Sequence, residues 1–150
     1  MSDFVIEVEN EPRDEDRRRV FDGLHEFNAA RTNDPRCDRL TVFLRDADGE
    51  IVGGLLGEIY WGWLNVESMW VDESLRRRGF GARLLAAAER EAVERGCRFA
   101  YLDTFGFQAL RFYEKLGYET FGTLENFPHG DARYFMKKTL DRRDENEVAQ

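Results

Sequence analysis

Apolar positions along this chain recur at two periods, and the switches between them divide it into about ten elements. Residues 3–10 (DFVIEVEN) set Phe4, Ile6 and Val8 against Val5, Glu7 and Glu9 and predict a first strand. Residues 14–31 place Val20, Leu24 and Phe27 on one helical stripe, with acidic residues ahead of basic ones as the helix dipole favours. Asn, Asp and Pro make 32–38 a loop. Alternation returns over 40–60 as two strands joined by a turn at Asp46 to Gly49, then over 64–71 beyond a second turn at 61–63. Strict alternation there puts Leu64, Val66, Ser68 and Trp70 on one face and Asn65, Glu67 and Met69 on the other.

The clearest helix runs over 79–96, where Gly81, Leu84, Leu85, Ala88 and Ala92 form one stripe and Gly96 supplies a stop. An aromatic-rich strand at 97–105 follows, then a short helix at 107–117 that again ends in glycine. Two strands, 118–124 and 132–138, flank the loop ENFPHGD. The order β-α-β-β-β-α-β-α-β-β predicts one mixed α/β domain over 1–140 with right-handed strand–helix–strand connections. Residues 141–150 (DRRDENEVAQ) are polar and aperiodic, and read as a tail.

The chain's 150 residues suit one domain with one core. Its net charge of −8 argues against a nucleic-acid partner, which needs a basic face. No apolar run reaches the roughly 18 residues of a membrane span, and the opening MSDFVIEVEN lacks the basic and apolar regions of a signal peptide, so a cytoplasmic location is expected. Cys37 and Cys97 make no CxxC and are expected as reduced thiols, and His25 and His129 lack metal-ligand spacing, so no metal is expected.

One stretch concentrates chemistry. RRRGFG, residues 76–81, stands between a strand and a helix. Unpaired amides at a helix start, beside Arg76, Arg77 and Arg78, make an anion site or else a solvated basic turn. The stretch is not GxxxxGK[ST], and it is not GxGxxG because position 84 is leucine, so a nucleotide-binding module is a remote alternative. On the last short helix, Ala109, Phe112, Tyr113 and Leu116 have core spacing, and on the strand before the basic turn Glu67 reads equally as a solvated carboxylate or a base.

The stretch WVDESLRRRGFGARLLAAAEREAVERG resembles the coenzyme A-binding motif of the GNAT superfamily of acyl-CoA N-acyltransferases. That pattern is Arg or Gln, two residues, Gly, one residue, then Gly or Ala at a helix start, and Arg76, Gly79 and Gly81 fill it. ALRFYEKLGYE, residues 109–119, is similar to the family's next signature, and the element order agrees from about residue 3 to 139. The resemblance implies a single-domain acyl-CoA N-acyltransferase fold, with a mixed, mostly antiparallel twisted sheet of about seven strands flanked by three or four helices. It also implies transfer of an acetyl group from acetyl-CoA to an amine of a small molecule by direct attack. A protein amine, or a non-catalytic acyl-CoA-binding domain on the same fold, is the alternative.

Carried residue by residue, the resemblance puts the pyrophosphate on main-chain amides of Arg77, Arg78, Gly79, Phe80, Gly81 and Ala82. It pairs the pantetheine arm with Trp70 and Val71, between strands 64–71 and 97–104 that splay apart. It makes Tyr113 the general acid for the departing thiolate, with Glu67 a candidate base, directly or through water, and the Val71 amide a candidate oxyanion donor. The family often carries an asparagine where this chain has Gly106, so Gln108 or Thr104 would have to substitute. Acceptor contacts are expected from 14–38, from the turn at Trp61–Trp63 and from the loop Glu125–Asp131, with Trp61, Trp63 and Phe127 either packing as edge-strand and loop residues or walling an apolar pocket. Exposed strand edges near 132–138 would admit a homodimer.

Overall fold

A six-stranded sheet in the order β1-β2-β3-β4-β6-β5 organises the computed structural model, which describes residues 3–140. Its strands are β1 (Cys37–Arg45), β2 (Ile51–Tyr60), β3 (Trp63–Val71), β4 (Phe99–Phe105), β5 (Glu119–Glu125) and β6 (Ala132–Thr139). All neighbouring pairs are antiparallel except β3 and β4, which α2 (Phe80–Glu94) connects. A short helix, α3 (Leu110–Lys115), joins β4 to β5. The tail expected over 141–150 lies outside the described residues.

The structure divides between Pro35 and Arg36 into two units. In the first, α1 (Asp14–Thr32) has the acidic first turn and basic last turn that its dipole favours, and Asn33 closes it in the left-handed conformation. None of its residues is buried, and Val20, Leu24 and Phe27 of the expected stripe are exposed. The strand expected over 3–10 does not form, so the sheet has six strands where seven were expected. A strand exists only by pairing, and the alternation of Phe4, Ile6 and Val8, all exposed, finds no ladder here.

In the second unit, one face of the sheet is covered. Leu40, Leu55, Leu64, Val66, Ala100, Leu102 and Met136 point to this face and pack with Leu85, Ala88 and Ala92 of α2 and with Tyr113 of α3. These α2 residues fall on one side because they recur at helical spacing. Lys138 and the Tyr118 hydroxyl close the base of the helix on the half-buried Glu89 carboxylate, at 2.9 and 3.1 Å. On the opposite face stand Trp63, Asn65, Tyr101 and Lys137, which alternate with those core residues. The edges of the sheet are β1 and β5, whereas β6 lies between β4 and β5, so the edge expected near 132–138 is interior. Among the described residues no helix is long and apolar enough to cross a membrane.

Candidate active site

β3 departs from strict alternation. Leu56 of β2 faces Ser68 and Gly57 faces Val66, which leaves Glu67 as an extra residue in a bulge. The bulge reverses the faces beyond it. Met69 packs against the core with Leu64 and Val66, while Ser68 and Trp70 are exposed, which corrects the grouping expected from the sequence.

The same bulge ends the pairing of β3 with β4. The two strands match from Trp63–Phe99 to Val66–Leu102 and no further. Beyond that point β3 continues against β2 alone, so its other edge turns unpaired backbone groups to a cleft of about 640 Å³. Residues 67–71 wall one side, and Thr104, Gln108, Ala109 and Tyr113 wall the other. An open strand edge accepts an extended, amide-bearing chain.

Arg76 lines this cleft and donates from Nε to the Val71 carbonyl at 3.2 Å. Between Val71 and α2, Asp72 caps a 3₁₀ turn (Glu73–Leu75) by accepting from Ser74 N at 3.0 Å. These bonds, from the Ser74 side chain and then its amide, hold the Asp72 carboxyl below its ordinary range. The chain then passes through left-handed conformations at Arg77 (φ 63°) and Gly79 (φ 82°) before α2 begins. No side chain caps this helix start, so its first amides remain available to an anion.

The two motif glycines serve different needs. A Cβ on Gly79 would meet open space, so its requirement is backbone conformation. A Cβ on Gly81 would lie 3.2 Å from Phe112 Cζ, so its requirement is the close approach of α3. The three arginines also separate. Arg76 is turned to Val71, and Arg78 lies over the Phe80 ring with Arg83, at 5.3 and 5.5 Å from its centroid. Arg83 was not singled out in the sequence. Its signal was a cation in the first turn of a helix, where the dipole disfavours one.

Tyr113 and Glu67 enter the cleft from opposite faces of the sheet. Tyr113 comes from the helix side, is 7% exposed, and packs edge-on against Phe112 and Tyr118. Burial, and then the charge of Asp103, raise its phenol above the ordinary tyrosine value. Glu67 stands on the face opposite the core. Partial burial raises its carboxyl, followed by the charge of Glu58 and a hydrogen bond shared with it, while Arg39 opposes the shift. Glu58 lies across β2 from Asn65, two residues before Glu67. The sequence alone could not select Glu58, because only strand register brings it there.

The glycine at 106 has a structural cause. Its amide donates to the Ala132 carbonyl at 2.9 Å, and a Cβ at this position would overlap Asp131 Oδ1. Gln108 Oε1 instead accepts from the Phe105 amide at 3.0 Å and from Thr104 Oγ1 at 3.3 Å, while Thr104 Oγ1 accepts from the Ala109 amide. Thr104 and Gln108 thereby tie the end of β4 to the approach to α3.

The expected aromatic pocket is present in part. Trp61 and Trp63 line a second cavity of about 540 Å³ with Tyr60, Tyr101, Phe121 and Lys137. Phe127 is elsewhere, with its ring 5.4 Å from Phe105 and under the Arg133 guanidinium, which Asp103 binds at 2.7 Å.

Comparison with known proteins gives the chain its relatives. Residues 4–118 match the model of the acetyltransferase (GNAT) family. An acetyltransferase of Agrobacterium fabrum is 36% identical over 124 residues, which cover 83% of this chain and 90% of that protein. The blasticidin-S acetyltransferase of Streptomyces morookaense is 40% identical over 93 residues, covering 61% of this chain and 68% of its own. The crystal structure of an acetyltransferase from Bacillus cereus superposes with a TM-score of 0.80 at 33% identity, over 90% of this chain and 98% of that one.

Proposed function

Because the chain belongs to the acetyltransferase (GNAT) family, we propose that it transfers the acetyl group of acetyl-CoA to an amine of a small molecule by direct attack. The observation that carries this reading is the cleft itself: an unpaired β3 edge beyond Val66, with Tyr113 on one wall and Glu67 on the other. The relative that acts on blasticidin S supports a small acceptor over a protein amine.

On this reading the diphosphate of the donor rests on the amides of residues 77–82, at the uncapped start of α2. The backbone of Trp70 and Val71 pairs with the amide-bearing arm, which brings the thioester to the bulge. The Val71 amide donates to the carbonyl oxygen as it gains charge. Glu67, directly or through a water, takes a proton from the attacking nitrogen. The new C–N bond forms, the C–S bond breaks, and Tyr113 gives its phenolic proton to the departing thiolate. The products are the N-acetylated amine and the free thiol, and solvent resets both side chains. A raised phenol suits this role in one respect: Tyr113 stays protonated at every working pH.

The test is thiol release from acetyl-CoA against a panel of amines. Tyr113→Phe should lower kcat on the order of 10²-fold and leave acetyl-CoA affinity within about twofold. An unchanged kcat removes Tyr113 from the reaction. Acetyl-CoA binding with no thiol release from any amine favours a non-catalytic acyl-CoA-binding domain.

A further inference from the structure

We propose that the aromatic cavity at the β2–β3 turn holds the body of the acceptor, and that the acceptor is a monoamine joined by a spacer to a flat apolar ring. This deepens the acetyltransferase reading and rests on it for the fate of the amine, but not for its binding.

Three observations lead there. The cavity and Glu67 share the face of the sheet opposite the core, since Trp63, Asn65 and the bulged Glu67 follow one another along β3, and Tyr101 precedes Asp103 on β4. A ligand can therefore lie along the strands with its ring in the cavity and its nitrogen at the cleft. The path spans two to four residues, roughly 7 to 13 Å at a strand's rise.

The cavity walls are flat and fixed. Trp63 stacks on Phe99 at 4.8 Å and meets the Tyr101 ring edge-on at 5.9 Å, while Trp61 meets Tyr60 edge-on at 5.4 Å. The Tyr60 and Tyr101 hydroxyls bond to each other, which engages part of the polar capacity among these rings. Most of what the rings offer a ligand is apolar surface, which favours stacking.

Charge biases the orientation. Glu67 lines the cleft and attracts an ammonium, with Glu58 beside it in register with Asn65 and Tyr101, whereas Lys137 lines the aromatic cavity, with its Nζ 6.0 Å from the Phe121 ring centroid and 4.0 Å from the Glu119 carboxylate. A second ammonium at the ring end would compete with Lys137 for the exposed Glu119 carboxylate, so a diamine or polyamine gains little there.

The experiment is titration calorimetry of the intact protein with 4-phenylbutylamine, butylamine and spermidine, in the presence of saturating CoA. We expect 4-phenylbutylamine to bind at least tenfold more tightly than butylamine, with spermidine no better than butylamine. Trp63→Ala and, separately, the turn variant Trp61→Ala should each erase most of that advantage without changing CoA affinity. Equal affinities for the two monoamines overturn the proposal, as does an advantage that survives in both tryptophan variants. Tight, tryptophan-dependent binding with no thiol release from acetyl-CoA for this or any other amine of the panel would uphold this subsite and refute the acetyltransfer reading.

Discussion

At the scale of single residues, the site depends on where protons sit. Glu67 has one neighbour of like charge, Glu58, and one of opposite charge, Arg39, while Cys37 and Tyr101 sense the same two carboxylates. A carboxyl raised by partial burial and by Glu58 must lose its proton before it can act as a base, so the acidic limb of kcat/KM should lie above the ordinary carboxylate range. Removing the like charge reverses part of that shift, so Glu58→Gln should move the limb to lower pH. Arg39→Gln removes the opposing charge and should move the limb to higher pH. A pH–rate profile of the three proteins reads both signs at once, and a limb that ignores both substitutions excludes Glu67 as the titrating base. Tyr113 is raised as well, so it should add no alkaline limb below the ordinary phenol value. The same linkage acts on stability. A carboxyl whose value is raised in the fold favours the folded state below its unfolded value, and that contribution is lost as pH climbs through the raised value.

At the scale of elements, local signals were legible and partnered ones were not. The start of α2 could be read because a glycine pair, a basic run and a helical stripe all fall within a few residues. Its left-handed entry makes a direct prediction: Gly79→Ala meets no neighbour yet must adopt φ near 82°, which costs about 1–2 kcal/mol. Asparagine tolerates that conformation better, so Gly79→Asn should cost less than Gly79→Ala. Urea midpoints would rank the three proteins, and an unshifted midpoint for alanine would show that the turn is not held in this conformation. The bulge at Glu67 was hidden because an inserted residue is defined only against the strand opposite. Simple alternation therefore put Met69 with Glu67, whereas the structure packs it with Leu64 and Val66. Residues 3–10 misled for a related reason, since apolar alternation states a capacity to pair and not the presence of a partner. Strand order was equally silent, and so β6 read as an edge although β4 and β5 flank it. Gly106 became intelligible only when Asp131, distant in sequence, appeared beside it.

At the scale of the whole molecule, two electrostatic effects oppose each other. The chain carries a net charge of −8 and, on the reading above, binds a polyanionic donor. Distant acidic groups repel that donor, while Arg76, Arg77, Arg78 and Arg83 attract it at the start of α2. Screening decides between them, because the Debye length is about 8 Å in physiological salt and lengthens to about 30 Å at 0.01 M. The arginines act within contact distance, where the guanidinium donates charge-assisted hydrogen bonds to the diphosphate oxygens. We therefore expect acetyl-CoA affinity to fall as salt rises, since contact attraction dominates at the site. The double substitution Arg77→Gln and Arg78→Gln should weaken binding roughly tenfold at low salt, equivalent to about 1.4 kcal/mol, and should flatten the salt dependence. Arg76 is left in place because its bond to the Val71 carbonyl supports the wall of the cleft as well as its charge. Calorimetric dissociation constants for both proteins at several salt concentrations separate the two effects. If wild-type affinity instead rises with salt, long-range repulsion governs donor capture, and if the double variant binds as tightly as wild type at every salt concentration, the uncapped start of α2 is not where the diphosphate is held.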